Sequence, residues 1–102
     1  MAKSERREVS NRLTTLVMHL LKWRHQPERR GGSWRSTIHE QRLQLGRLLE
    51  SGTLRNHALA VLADMHDDAR GLAADETGLP LTTFPEACPW DLDAILEAEL
   101  PL

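Results

Sequence analysis

The chain has 102 residues, a net charge of −2 and 40% hydrophobic residues, a size and composition typical of one small domain spanning residues 1–102. A single cysteine, Cys88, excludes an internal disulfide and favours a reducing, cytoplasmic location. No apolar run has the length of a signal peptide or a membrane span, so we expect a soluble protein without membrane association.

The first predicted element is a helix over about residues 5–25. Ser4 is its predicted N-cap. Pro27 disfavours helical geometry at the preceding residue and should end the helix near His25, and the following PERRGG segment is typical of a loop. An apolar stripe with helical spacing runs along this helix; its members are Val9, Leu13, Leu16, Val17, Leu20 and Leu21.

Two further helices are predicted over about residues 34–50 and 54–77. Ser33 and Thr53 are their predicted caps. Gly78 should end the third helix, and Gly71 within it should permit close contact with another helix. The second helix has Trp34, Ile38, Gln41 or Arg42, Leu45, Leu48 and Leu49 on its inward face; the third has Leu54, Ala58, Val61, Leu62, Met65, Ala69, Leu72 and Ala73.

Residues 79–90, LPLTTFPEACPW, contain too many prolines for a helix and too little alternation for a strand. We call this segment the strap, and predict that Phe84, Cys88 and Trp90 are buried against the second and third helices. Pro89 should lie in the first turn of a short last helix. No strand pattern occurs, so the predicted fold is all-α: a small bundle of three main helices, the strap and a short C-terminal helix.

The segment that joins the first two helices, residues 19–42, concentrates cations and tryptophans. A helix N-terminus offers free N–H groups to an anion, and Gly31-Gly32 allows close approach of the backbone. The candidate anion- or partner-binding residues are Lys22, Arg24, Arg29, Arg30, Ser33 and Arg35. The simpler alternative is that Arg35 and Arg42 pair with acids of the third helix while Arg29 and Arg30 extend into solvent.

Cations interleaved with Trp23 and Trp34 also suit nucleic acid, through phosphate contacts and base stacking. Both tryptophans, however, lie at helix edges where they could close the core, and a pI near 6.2 argues against a dedicated nucleic-acid binder. Nucleic acid therefore remains a possible partner, but a less favoured one than protein.

Charge is divided unevenly along the chain. Residues 1–35 hold nine Lys and Arg and three Glu, a balance of +6, whereas residues 36–102 hold four Arg and twelve acids, a balance of −8. This division is typical of nucleic-acid binding at the basic end, of an oppositely charged partner, or of attraction between the two halves. For the third case, we expect acids of the third helix to meet Arg12, Arg35 or Arg42.

The usual patterns of metal and nucleophilic sites are missing. No two of the five histidines are spaced i, i+4, and none belongs to an HExxH motif. Cys88 beside Pro89 is typical of a buried thiol, and there is no GxSxG motif or phosphate loop. We therefore expect no metal and no cofactor, and we favour a protein that is not an enzyme.

Six segments, in order, resemble a bacterial helical family catalogued as domain of unknown function number twenty-nine: KSERREVSNRL, HLLKW, QPERR, SWRSTIHEQR, ETGLP and FPEACPWDLDAILE. The resemblance extends from about Lys3 to Pro101. It implies a helical fold, and it carries no activity, cofactor or catalytic residue. Members of the family typically have one or two more helices upstream, so this chain is expected to be a shortened member, a fragment, or a member whose start is assigned differently.

Without such helices, part of the stripe on the first helix should remain uncovered and available to a second copy. The expected function is accordingly that of a non-catalytic helical interaction or assembly module that forms a homo-oligomer or binds a protein partner in a bacterial cytoplasm. The alternative is anion or nucleic-acid binding through the basic segment between the first two helices.

Overall fold

The structure, a computed structural model, describes residues 2–100, with side chains from residue 3 onward. Four helices occur in this range: α1 (Ala2–His25), α2 (Gly32–Leu48), α3 (Gly52–Thr77) and α4 (Leu92–Glu97). Single turns of 3-10 helix lie at Pro27–Arg29 and Leu81–Thr83. Residues 2–100 contain no strand, which confirms the predicted all-α fold.

Helix α1 is the centre of the bundle and packs against both other long helices. It runs parallel to α3, since Ser10 Oγ lies 3.2 Å from His57 Nε2 near one end and Lys22 Nζ lies 2.8 Å from Glu76 Oε1 near the other. The short connection between α1 and α2 makes these two helices antiparallel. Helix α4 closes the bundle over α2, where Arg42 Nε donates to the carbonyl oxygen of Ile95 at 2.9 Å.

The apolar stripe of α1 is covered within one chain. Val9, Leu13, Leu16, Val17 and Leu20 are all fully buried. Each buried aliphatic side chain contributes about 1.5–3 kcal/mol to folding, so α1 is the main source of packing energy. The prediction that part of this stripe stays uncovered for a second copy is therefore wrong, because α2 and α3 together enclose it.

The first two helices begin earlier than predicted. Helix α1 already includes Ala2, so Ser4 lies inside the helix and is not its N-cap. Helix α2 is capped by Gly31, whose extended backbone has φ −158° and whose carbonyl oxygen accepts from Arg35 N at 3.1 Å. Ser33 is the second residue of α2, so its predicted capping role is also wrong.

At α3, the predicted stop is confirmed and the predicted cap is wrong. Ser51, not Thr53, caps this helix, and its hydroxyl accepts from Leu54 N at 3.3 Å. Gly78 ends it in the left-handed region, with φ +73°, where a residue without a side chain is favoured. The Gly78 N–H donates to Ala74 O at 2.9 Å, which satisfies a carbonyl of the last turn.

Two predictions for the middle of α3 are wrong. A β-carbon built at Gly71 would meet no atom within 4 Å, so no helix approaches closely there. Leu72, predicted on the apolar face, is 44% exposed. Both residues border an open groove between α1 and α3, which accounts for the open space at Gly71 and the exposure of Leu72.

The strap is anchored through Phe84, which is 1% exposed. Its ring contacts His25 edge-on at a centroid distance of 5.1 Å, and its carbonyl oxygen accepts from Arg70 Nε at 3.0 Å. The predicted burial of Phe84 is confirmed, and these two contacts are with α1 and α3. Cys88 and Trp90, in contrast, are only half-buried.

The last helix begins after the predicted position. Asp91 is its N-cap, and Oδ1 of Asp91 accepts from Ala94 N at 2.8 Å. Pro89 therefore lies outside the helix, in the strap, contrary to the prediction that it occupies the first turn.

Replacement of Phe84 by alanine should lower the free energy of unfolding by about 3 kcal/mol, because it removes a fully buried ring. Leu81→Ala is the matched control: Leu81 lies in the same segment, is 47% exposed, and should change stability by less than about 0.5 kcal/mol. Urea unfolding followed by circular dichroism measures both. A Phe84→Ala protein as stable as its parent would show that the strap does not stabilise the bundle.

His66 makes the bundle sensitive to acid. Its side chain is 1% exposed, and burial lowers the pKa of His66 below the ordinary value of 6.5. Below pH 6.5 the unfolded chain therefore binds a proton that the folded chain does not, and stability falls as the pH drops. The slope from this one group is at most about 1.4 kcal/mol per pH unit.

His66→Leu should flatten the decline in unfolding free energy below pH 6.5, as measured by urea unfolding at several pH values. His39→Leu, on the exposed surface of α2, is the control and should leave the slope unchanged. An equal change of slope in both variants would contradict the assignment to His66.

Candidate functional site

The segment between α1 and α2, which we call the hinge, comprises residues 22–35. After α1 ends at His25, Gln26 leaves helical geometry, with φ −133° and ψ 66°, as expected before Pro27. Pro27–Arg29 then forms one 3-10 turn before Gly31 caps α2. The short turn brings the cations at the end of α1 next to those at the start of α2.

Trp23 organises one side of the hinge. It is 3% exposed, and the guanidinium carbons of Arg30 and Arg35 lie 5.3 Å and 5.2 Å from its ring centroid. Arg30 Nε also donates to the carbonyl oxygen of Trp23 at 2.7 Å, which satisfies an acceptor in the last turn of α1. Two of the predicted binding cations therefore lie on this tryptophan ring.

Lys22 organises the other side. Its side chain is only 7% exposed, Nζ lies 2.8 Å from Glu76 Oε1, and Nζ lies 5.0 Å from the ring centroid of Trp34. An ammonium group at such a depth requires this kind of pairing. The ion pair joins the end of α1 to the last turns of α3, while the contact with Trp34 joins α1 to α2.

The remaining candidates have different surroundings. Arg24 is exposed, with its guanidinium carbon 6.0 Å from the ring centroid of Trp90 in the strap. Arg29 and Ser33 are both exposed. Of the six candidate residues, Lys22 and Arg29 line a common cavity of about 320 Å³.

The prediction that Arg12, Arg35 or Arg42 pairs with acids of α3 is wrong. Arg12 pairs with Glu8 of its own helix at 2.8 Å, and Arg35 lies on Trp23. Arg42 donates to backbone carbonyls of α4. Among the described residues, it is Lys22 that joins the basic half of the chain to an acid of α3.

Arg42 has a structural role that sequence reasoning missed. It donates to the carbonyl oxygens of Ala94 and Ile95 at 3.4 Å and 2.9 Å, and burial lowers its pKa. Helix α4 is thereby held on α2. The sequence already placed Gln41 or Arg42 on the inward face of the second helix by its helical spacing. The contact of Arg42 with α4 depends on tertiary packing and could not be predicted from that spacing.

A second feature missed from the sequence is a groove of about 760 Å³ between α1 and α3, which we call the acidic groove. Its α1 wall carries Ser10, Asn11, Thr14 and Thr15; its α3 wall carries Met65, Asp67, Asp68, Gly71, Leu72 and Asp75. The three aspartates are exposed. Their position off the apolar face could be predicted from helical spacing, but the opposing wall required the packing of α1 on α3.

Within the described residues, no group of three or more His, Cys, Asp or Glu side chains is placed to hold a metal ion. Burial raises the pKa of the Cys88 thiol, which opposes formation of a reactive thiolate. None of the helices between residues 2 and 100 combines the length and the apolar character needed to cross a membrane.

These features define a small all-α bundle whose first two helices are joined by a hinge of cations and tryptophans. The chain belongs to the family described as Domain of unknown function DUF29, whose sequence profile matches residues 1–100. The resemblance seen in the sequence is therefore confirmed. Comparisons with curated proteins and with solved structures gave no match.

Arg30→Ala should lower the free energy of unfolding by about 2 kcal/mol, since it removes a charged hydrogen bond and a cation–π contact. The adjacent exposed arginine supplies the control: Arg29→Ala should change stability by less than about 0.5 kcal/mol. Urea unfolding compares the two variants directly. Equal effects would mean that the contacts of Arg30 with Trp23 do not stabilise the hinge.

Proposed function

We propose that this protein is a non-catalytic helical assembly module that pairs with a second copy of itself across the acidic groove. The observation that carries the proposal is the charge pattern along this surface. Carboxylates line the α3 wall, while exposed cations precede the α1 wall in the same helix. The surface is thus complementary to itself.

The acids of the groove are available to a partner. Asp68 and Asp75 form no ion pair with the described residues, and Asp67 has His66 as its nearest basic group, at 4.0 Å. His66 is neutral near pH 7 because burial lowers its pKa. A cationic surface would therefore meet three uncompensated carboxylates.

The cations that complement them lie on the first turns of α1. Lys3, Arg6 and Arg7 are exposed. Arg6 precedes Ser10 by four residues, and Arg7 precedes Asn11 by four, so both cations continue the faces that form the α1 wall. The basic end and the acidic groove thus belong to one continuous surface.

The relative position of the two charge clusters supports an antiparallel pair of protomers. Thr14 contacts Met65 and Lys22 contacts Glu76, so Asp67–Asp75 lie level with the second half of α1. They are about 18 Å along the helix axis from Arg6 and Arg7. A two-fold axis halfway between the clusters would place each basic end opposite the partner's acids, and the contact would close as a dimer.

Leu72 and Met65 add apolar area to this surface. Leu72 is 44% exposed, and Met65 is half-buried in the groove. Exposed ion pairs contribute only about 0–1 kcal/mol each, so the charges mainly determine orientation and salt dependence. The apolar contact would supply the remaining stabilisation.

The proposal predicts a dimer that is favoured at low salt and weakened at high salt, measurable by sedimentation velocity in about 50 and 500 mM NaCl. Arg6→Glu/Arg7→Glu and Asp68→Lys/Asp75→Lys should each be monomeric, because like charges would then face each other. An equimolar mixture of these two variants should form a heterodimer, since both of its contacts are again between opposite charges.

Glu40→Lys/Glu50→Lys is the matched control for Asp68→Lys/Asp75→Lys, because it changes the net charge by the same amount at exposed positions on α2 and in the turn that follows it. This control should dimerise like the parent protein. A parent protein that is monomeric at high concentration in low salt, or a mixture of the reversed variants that fails to associate, would refute the proposal.

A further inference from the structure

The cavity beside the hinge has walls from three parts of the bundle: the end of α1, the start of α2 and the last turns of α3. Its volume is about 320 Å³, at the lower end of the range for small-molecule sites. The residues that line it are Lys22, Gln26, Arg29, Trp34, Glu76 and Thr77. It is separate from the acidic groove and shares no residue with it.

Gln26 points to a ligand. It is 8% exposed and lines the cavity, and its side-chain amide forms no hydrogen bond with the described residues. A primary amide offers two donors and an acceptor oxygen. Although the residue as a whole is largely buried, its amide atoms are not among the side-chain atoms that are sealed from solvent without a partner. They are therefore open to the cavity and can hydrogen-bond to a molecule bound there.

The charges of the wall select an anion. Lys22 and Arg29 contribute two positive charges and Glu76 one negative charge, which leaves the cavity with a net charge of +1. Lys22 uses one of its three N–H donors on Glu76. Arg29 forms no ion pair with the described residues, and its guanidinium can bind a planar anion through two parallel hydrogen bonds.

Thr77 and Trp34 limit the shape of the ligand. The Thr77 hydroxyl is already used, since it donates to Ala73 O at 2.7 Å and accepts from Leu79 N at 3.2 Å. Trp34 contributes the apolar wall. A monovalent carboxylate matches both the net charge and the fork of Arg29, whereas a phosphate dianion would exceed the positive charge and be repelled by Glu76.

We propose that this cavity binds a small monocarboxylate, with its carboxylate held by Arg29, Lys22 and Gln26 and its body against Trp34. The ammonium of Lys22 is held in position by Glu76 before the ligand arrives, so little ordering of that side chain is required on binding. The carboxylate supplies the acceptors for the Gln26 amide. This binding is independent of pairing between protomers.

The test is a titration of the protein with acetate, benzoate, benzamide and inorganic phosphate, followed by ¹H–¹⁵N correlation spectra. Acetate or benzoate at millimolar concentration should shift the side-chain amide signal of Gln26 and the indole signal of Trp34. Benzamide, which has the shape of benzoate without its charge, should bind at least about tenfold more weakly. Phosphate should also bind more weakly than the carboxylates.

Arg29→Ala and Gln26→Met should each weaken carboxylate binding by about tenfold. Arg24→Ala is the matched control: Arg24 is an exposed arginine of the same hinge that does not line the cavity, and its loss should leave binding unchanged. Because Arg29 is exposed, its variant should fold normally even if the Gln26 variant does not.

The proposal is overturned if neither acetate nor benzoate shifts these signals, or if benzamide or phosphate binds as tightly as benzoate. It is also overturned if Arg24→Ala weakens binding as much as Arg29→Ala does. That last result would indicate nonspecific attraction of anions to the basic surface.

Discussion

Helix α1 buries its apolar stripe between α2 and α3, and the rest of the structure depends on this packing. The buried side chains of α1 between Val9 and Trp23 form the centre of the core. Because α1 lies between the two other long helices, its C-terminal end is where all three meet. The hinge, the Lys22–Glu76 ion pair and the carboxylate cavity proposed here lie at that end. The acidic groove lies along the same α1–α3 contact.

Some cations of the hinge contact tryptophan rings within the bundle, and others extend into solvent. Arg30 and Arg35 lie on Trp23, Lys22 lies by Trp34, and these contacts join the helix ends that the loop separates. Rings covered in this way are less available for stacking on bases, which favours protein and small-anion partners over nucleic acid. Arg29 differs from its neighbours because it is exposed and lines the cavity.

The uneven charge of the chain is only partly compensated within the fold. The Lys22–Glu76 pair joins the basic and acidic halves, but the exposed basic residues at the start of α1 and the acids along α3 remain far apart in one protomer. Attraction between the halves, the simplest reading of the sequence, therefore explains little of the division. The dimer proposed above would account for more of it, because a second copy of the chain would supply both charged surfaces.

The sequence by itself determined the features that depend on local geometry. The spacing of apolar residues located the three long helices, Pro27 ended the first, and Gly78 ended the third, because these effects act within one or two turns. The caps of α2 and α3 lie two residues before the predicted ones, at Gly31 and Ser51, because several neighbouring residues at each site are able to cap a helix. Tertiary structure decided how completely the α1 stripe is covered, which cation reaches which tryptophan, and which acids stay unpaired. These outcomes depend on how three helices pack. Contacts such as those between residues 22 and 76, or 14 and 65, join positions far apart in the chain, so the local spacing of residues does not predict them.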